Sequence, residues 1–200
     1  MSIIVEHEKR RHEILEKALD VFMEEGFEDA TFQKIAAKCG ITRTTLYIYF
    51  KNKREIFNFS IKQLLEFLEH DIIKIRAEKN LSHRERLIKV MIMIIKNLKE
   101  NHQLLSVILN YLMYTSRDNY DPNYRVRRRT VRLRRILASM LIEGIKAGEF
   151  HKSLNVKDAN EFLYASLEAA VFRLVVLRRS SVEELKSAIQ LAISNFTAAP

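Results

Sequence analysis

Arg43, Gln33 and a run of hydroxyl-bearing side chains, Thr31, Thr42, Thr44, Thr45, Tyr47 and Tyr49, crowd into the segment TFQKIAAKCGITRTTLYIYFKNK, residues 31–53. These groups suit a polyanion with flat polar edges. An arginine can pair bidentately with guanine and a glutamine with adenine, while hydroxyls and lysines such as Lys53 hold phosphates and fix register. Ile48, a β-branched side chain among polar neighbours, can meet a thymine methyl in the major groove. Charge agrees with this chemistry. From Gln33 to Arg54 there are six bases (Lys34, Lys38, Arg43, Lys51, Lys53, Arg54) and no acid, whereas Glu13 to Asp29 holds seven acids and one base. The two strips are therefore expected to face different ways.

Positioning these groups requires two short helices around a tight turn. Thr31 is a good N-cap for a helix whose apolar Ile35 and Ala36 face inward, and Gly40 can take the left-handed conformation that ends it. Thr42 caps a second helix, in which Leu46 and Phe50, four residues apart, form the inner face. Arg43, Thr44, Thr45, Tyr47, Ile48 and Tyr49 are left for the outer surface and flanks. The spacing predicts a helix-turn-helix whose second helix enters the major groove of double-stranded DNA.

The longer segment HEILEKALDVFMEEGFEDATFQKIAAKCGITRTTLYIYFKNKREIF resembles the N-terminal domain of the tetracycline-repressor-type (TetR) family. Gly26-Phe27, Thr31, Ile35-Ala36, Gly40-Ile41, Thr45-Leu46-Tyr47, Tyr49-Phe50 and Lys53 carry the likeness. It implies an all-α homodimeric transcription factor, usually a repressor, whose C-terminal domain dimerises and commonly holds a small molecule. By the same resemblance, Thr31, Thr45, Tyr47, Tyr49 and Lys53 match positions that touch phosphates, and Gln33 and Arg43 match positions that reach bases. Phe32, Thr44 and Ile48 depart from the family pattern, so the operator sequence does not transfer from a relative.

Composition bounds the alternatives. The chain has 200 residues, 48% of them apolar, with four glycines and two prolines, as a chain made almost wholly of helices should. Cys39 is the single cysteine, which excludes an internal disulfide and any CxxC metal site, and its place before Gly40 suggests a small buried residue. No cofactor or metal is expected; His70 and His102 lack ligand spacing. No HExxH, Gly-rich phosphate loop or GxSxG is present, which argues against an enzyme. Nothing resembles a signal peptide or a membrane span of ~18 apolar residues, and a reducing cytoplasm is the expected compartment.

The formal net charge of +9 does not come from the helix-turn-helix region, because residues 1–60 hold ten Lys/Arg against ten Asp/Glu. Much of the excess sits in YRVRRRTVRLRRI, where seven arginines fall between Arg125 and Arg135 without an acid. Val126, Leu133, Leu137, Met140 and Leu141 keep an apolar stripe through it, so it reads as an amphipathic helix. A solvated face, an anionic ligand site and auxiliary phosphate contacts are all open for it.

Elsewhere helical periodicity continues. A helix from Arg54 to Ile75 carries Leu64, Leu68 and Ile72 and is the expected lever between the two domains. Ser82 and Glu85 form a capping box, His102 to Thr115 is a further helix, SRDNYDPNY reads as a loop, and Gly148 should stop the Arg-rich helix. Met91, Tyr111, Tyr114 and Phe162 could line a cavity for a small hydrophobic or amphipathic effector, and Glu168 in its apolar helix would need a partner if buried. Ser181 is expected to cap the last helix. Leu167, Val171 and Leu174 with Leu185, Ile189 and Ile193 form stripes on the last two helices, suited to a four-helix dimer interface.

The reading is thus an all-α chain with a helix-turn-helix DNA-binding domain at residues 1–53 and a helical regulatory and dimerisation domain at 54–200. It implies a homodimeric repressor of a palindromic operator released by an effector. A regulator of the same fold that activates or answers no small molecule remains open, as does a protein using its basic helix on an anionic membrane surface.

Overall fold

The computed structural model describes residues 3–115, 123–178 and 181–197; at 3, 4, 64, 114, 115 and 123–130 it describes the backbone alone. Its elements are α1 (Ile3–Asp29), α2 (Phe32–Cys39), α3 (Arg43–Tyr49), α4 (Lys53–Ala77), α5 (His83–Glu100), α6 (His102–Thr115), α7 (Asn123–Lys146), α8 (Val156–Val175) and α9 (Glu183–Ser194). The helix expected from Arg54 to Ile75 is α4, slightly longer at both ends, and α6 has the expected bounds. The stretch read as a loop, SRDNYDPNY, and the arginines from 125 to 129 lie outside the residues whose side chains are described.

Two compact units divide the chain: Met1–Phe67 with Ser106–Met113, and Leu68–Leu105 with Tyr114–Pro200. In the first, α1 is interrupted at Gly26, whose φ of 80° a residue with a side chain rarely adopts, so the chain turns there towards α2. Ile14, Ala18, Phe22, Ile35, Leu46, Ile56 and Phe57 form its dry centre. Ser60 and Gln63 are buried as well. The Ser60 hydroxyl donates to the Leu15 carbonyl at 3.0 Å, and the Gln63 carbonyl oxygen is 3.0 Å from the His12 ring, so α4 is fixed to α1 by polar contacts as well as by packing.

The second unit is organised around α5. Leu87, Val90, Met91, Ile94 and Ile95 are buried, and the helix packs against α7, α8 and α9, as its nearly continuous apolar run requires. Ser82 and Glu85 close the expected capping box, and the Ser82 bonds hold the Glu85 carboxyl below its ordinary pKa. Gly144 lies inside α7 against the Phe150 ring, where an added Cβ would come within 2.3 Å of buried ring carbons. After α7, Gly148 (φ 76°) turns the chain as expected. The start of α9 differs from expectation: its N-cap is Val182, without a side-chain cap, while Ser181 is exposed just before it. The buried Val182 side chain holds this end by packing instead.

Ion pairs tie α7 to α4 and α8. Arg132 pairs with Glu69 at 2.8 Å, Arg76 with Glu143, and Arg134 with Glu161 while lying 3.9 Å from the centre of the Tyr164 ring. Arg132 and Arg134 thus have acidic partners, while Arg135 is exposed.

Candidate nucleic-acid interface

The turn between α2 and α3 forms by local hydrogen bonds. The Thr31 hydroxyl accepts from the Lys34 amide, and Gly40, at φ 67°, donates its amide to the Ala36 and Ala37 carbonyls, ending α2. The Thr42 hydroxyl then accepts from the Thr45 amide at 3.0 Å and sits 2.8 Å from the Thr45 hydroxyl. Leu46 and Phe50 are fully buried, as the spacing predicts. That anchoring turns the opposite side of α3 outward: Thr42, Arg43, Thr44, Tyr47 and Ile48 are exposed, and Ile48 keeps 69% of its surface in solvent. Thr45 and Tyr49 are half-buried on the flanks, while Thr31 and Gln33 are exposed at the start of α2.

Within this face the side chains hold one another. Arg43 donates to the Tyr47 hydroxyl at 3.2 Å, with its guanidinium 5.6 Å from the ring centre. The other support of Tyr47 is Phe32, 4.6 Å away ring to ring. Phe32, a departure from the family pattern, therefore packs as a backing for the exposed Tyr47.

Two expectations about charge are revised by the geometry. The acidic and basic strips do not face apart: Lys34 pairs with Glu25, and Lys38 pairs with Glu24 at 2.7 Å, a bond that raises the Lys38 pKa. The sequence shows the sign of each strip, but helix crossing decides which members meet. Lys53 is engaged internally, donating to the carbonyls of Phe27, Glu28 and Ala30 at 2.8, 2.6 and 3.0 Å, with its ammonium over the Phe27 ring. It ties the start of α4 to the end of α1, and burial lowers its pKa. Cys39 is buried, as expected, and desolvation raises its thiol pKa, the opposite of what a reactive cysteine needs.

Residues 14–58 match the family model described as "Bacterial regulatory proteins, tetR family". This segment belongs to the TetR family of regulators. It is 27% identical over 194 residues to the Fatty acid metabolism regulator protein of Bacillus subtilis (strain 168), covering 88% of this chain and 94% of that one. Among solved structures, a TetR transcription regulator from Haloarcula marismortui ATCC 43049 superposes with a TM-score of 0.78 at 20% identity, covering 95% of this chain and 97% of that one. The transcriptional regulator FadR from Bacillus subtilis, in complex with stearoyl-CoA, gives 0.69 at 24% identity, with 94% and 97% covered. The all-helical fold with an N-terminal helix-turn-helix is shared with these TetR-family structures.

Residues expected at the effector site fall in different units. Met91 is buried in the second unit, whereas Tyr111 belongs to the core of the first, its ring against Phe27 and Phe57. Phe162 and Glu168 are exposed on α8, so Glu168 needs no buried partner, and the Tyr114 side chain lies outside the described residues.

The residues expected to face a second copy are turned inward. Leu167, Leu174, Leu185, Ile189 and Ile193 are 0–7% exposed and belong with α5 and α7 to one core, with Val171 half-buried beside them. Side chains so covered have almost no surface left for a partner. The apolar residues that α8 does expose are Phe162, Ala165, Ala169 and Phe172, continued by its C-cap Val176, and those of α9 are Ala188 and Leu191. Their spacing of three and four residues was readable as a second stripe, but its outward direction was not. Among the described residues, no helix is long and apolar enough to cross a membrane.

Proposed function

We propose that the protein is a homodimeric repressor that reads a palindromic operator and is released by a long-chain acyl thioester. The observation that carries DNA reading is the outward face of α3, where Arg43, resting on Tyr47, and Ile48 are exposed on a helix anchored by Leu46 and Phe50. In this reading Arg43 and Gln33 address bases, Ile48 meets a thymine methyl, and Thr31, Thr42, Thr44, Thr45, Tyr47 and Tyr49 hold the backbone. Lys53 acts behind them as a brace.

One such helix reads too few base pairs to select a site, so a second copy is needed about 34–36 Å away. The partner surface in this reading is the exposed stripe Phe162, Ala165, Ala169, Phe172 and Val176 with Ala188 and Leu191. Small residues let two α8 helices approach, and the two phenylalanines supply anchors. Similarity along 94% of a fatty acid metabolism regulator, together with a like-folded regulator that binds stearoyl-CoA, supports an acyl thioester as the effector class. Met91 and its neighbours on α5 offer the apolar interior that an acyl chain needs, and methionine can repack around it. Release follows if the effector prefers a conformation whose recognition helices no longer fit adjacent major grooves, with coupling equal in both directions.

Selection of a binding site from random duplexes, followed by titration with and without stearoyl-CoA, tests the reading. A palindromic site whose affinity falls with stearoyl-CoA but not with free coenzyme A is the expected result. Tight operator binding that stearoyl-CoA leaves unchanged removes the effector class and leaves the DNA-reading assignment intact.

A further inference from the structure

Residues 3–13 precede the part of the chain that the family model matches, and they extend α1 by about three turns at 3.6 residues per turn. His7 lies in this extension. Its ring stacks on Tyr49, at the end of the recognition helix, with centroids 4.6 Å apart and planes at 24°. One turn later Arg11 places its guanidinium 4.2 Å from the centre of the Phe59 ring and 5.2 Å from that of Phe50. Two residues four apart on α1 thus rest on the neighbouring rings Tyr49 and Phe50. Stacking covers one face of the Tyr49 ring and restricts where its hydroxyl can point.

We propose that His7 is a positioning residue of the DNA interface, acting through Tyr49, whose phenol it aims at the operator backbone. The inference rests on the reading that Tyr49 holds a phosphate. A direct phosphate contact by His7 is disfavoured by its exposed acidic neighbours Glu6 and Glu8, so the stacked ring rather than a charge is the operative feature. The ring contact links the first turns of α1 to the recognition helix, and these turns thereby join the DNA-reading machinery of this chain.

The test is a double-mutant cycle on operator affinity in the full-length protein, with thermal melting recorded for every variant. His7→Ala should weaken binding about two- to tenfold, the range that loss of a ring pair corresponds to. His7→Phe should restore affinity because it keeps the stacked face, and a salt-titration slope equal to wild type should accompany both. Tyr49→Phe should weaken binding by itself, and adding His7→Ala to it should then cost nothing more. A full cost of His7→Ala in the Tyr49→Phe background, or failure of His7→Phe to restore binding, overturns the inference. Weakened binding in Tyr49→Phe with none in His7→Ala overturns it alone, whereas unchanged binding in Tyr49→Phe removes the phosphate reading of Tyr49 and the inference with it.

Discussion

The helix-turn-helix and the α8–α9 pair are both built from amphipathic helices, yet they dispose of their apolar faces differently. In α2 and α3 each helix has one apolar face, and Ile35, Ala36, Leu46 and Phe50 are all consumed by the core of their own unit. What remains outside is polar apart from Ala37, Tyr47 and Ile48. In α8 the core takes Leu163, Leu167, Ala170 and Leu174, and a second apolar stripe, Phe162, Ala165, Ala169 and Phe172 with the C-cap Val176, is still exposed. A helix with one apolar face declares its inner side; a helix with two does not. Large apolar side chains left in water beside small ones mark a surface meant for another surface.

The sharpest way to break this contrast is to change one residue from each stripe. Ile189→Ala removes a side chain that is 2% exposed and should lower folding stability by about 2–5 kcal/mol, seen in denaturant unfolding. Phe172→Glu alters a residue that is 53% exposed and should leave the protomer folded while sedimentation shows monomers and operator affinity collapses. If Phe172→Glu remains dimeric at micromolar concentration, the outward stripe is not the interface.

Lys53 tests the same contrast from the DNA-reading side. Its ammonium bonds three carbonyls at the end of α1, and a hydrogen bond to a charged group contributes about 1.5–3 kcal/mol net of lost hydration. Lys53→Met should therefore lower the stability of the first unit measurably, while the dependence of operator affinity on salt keeps its slope. A slope smaller by about 0.9 per lost contact would instead return Lys53 to the phosphates.

Legibility followed the range of the interactions. The caps Thr31, Thr42 and Ser82, the stops at Gly40 and Gly148, and the burial of Leu46 and Phe50 are decided within four residues, and each was readable from the chain. The pairing of Lys34 with Glu25, the three carbonyls of Lys53 and the stacking of His7 on Tyr49 span 9 to 42 residues and depend on how helices cross. Periodicity gives a face, not its partner. The inward turn of Leu185, Ile189 and Ile193 has the same cause: α9 needed a surface, and α5 of the same chain supplies it.

Arg43 offers a smaller and more local test. Without DNA its guanidinium rests on Tyr47, so reading a base edge requires exchanging that contact for a bidentate one. Arg43→Ala should cost about 1–3 kcal/mol on the selected operator and relax discrimination at one base pair per half-site. Affinities for a full set of single-base operator changes would reveal this, and unchanged discrimination would remove Arg43 from base reading.

The smallest effect should come from Ile48. Its side chain is 69% exposed although its neighbours Leu46 and Phe50 are buried, so folding of this unit gains little from it. Burying one methyl-sized group against it on DNA is worth about 0.8 kcal/mol, roughly a fourfold change in affinity. Replacing thymine by uracil at each operator position removes that methyl and nothing else. One position per half-site should lose affinity by this amount in the wild-type protein and lose nothing in Ile48→Ala. Thermal melting of Ile48→Ala should stay at the wild-type value, because no core contact is removed. If every thymine position behaves alike in the two proteins, Ile48 does not read a methyl, and the specificity of α3 rests on Arg43 and its polar neighbours.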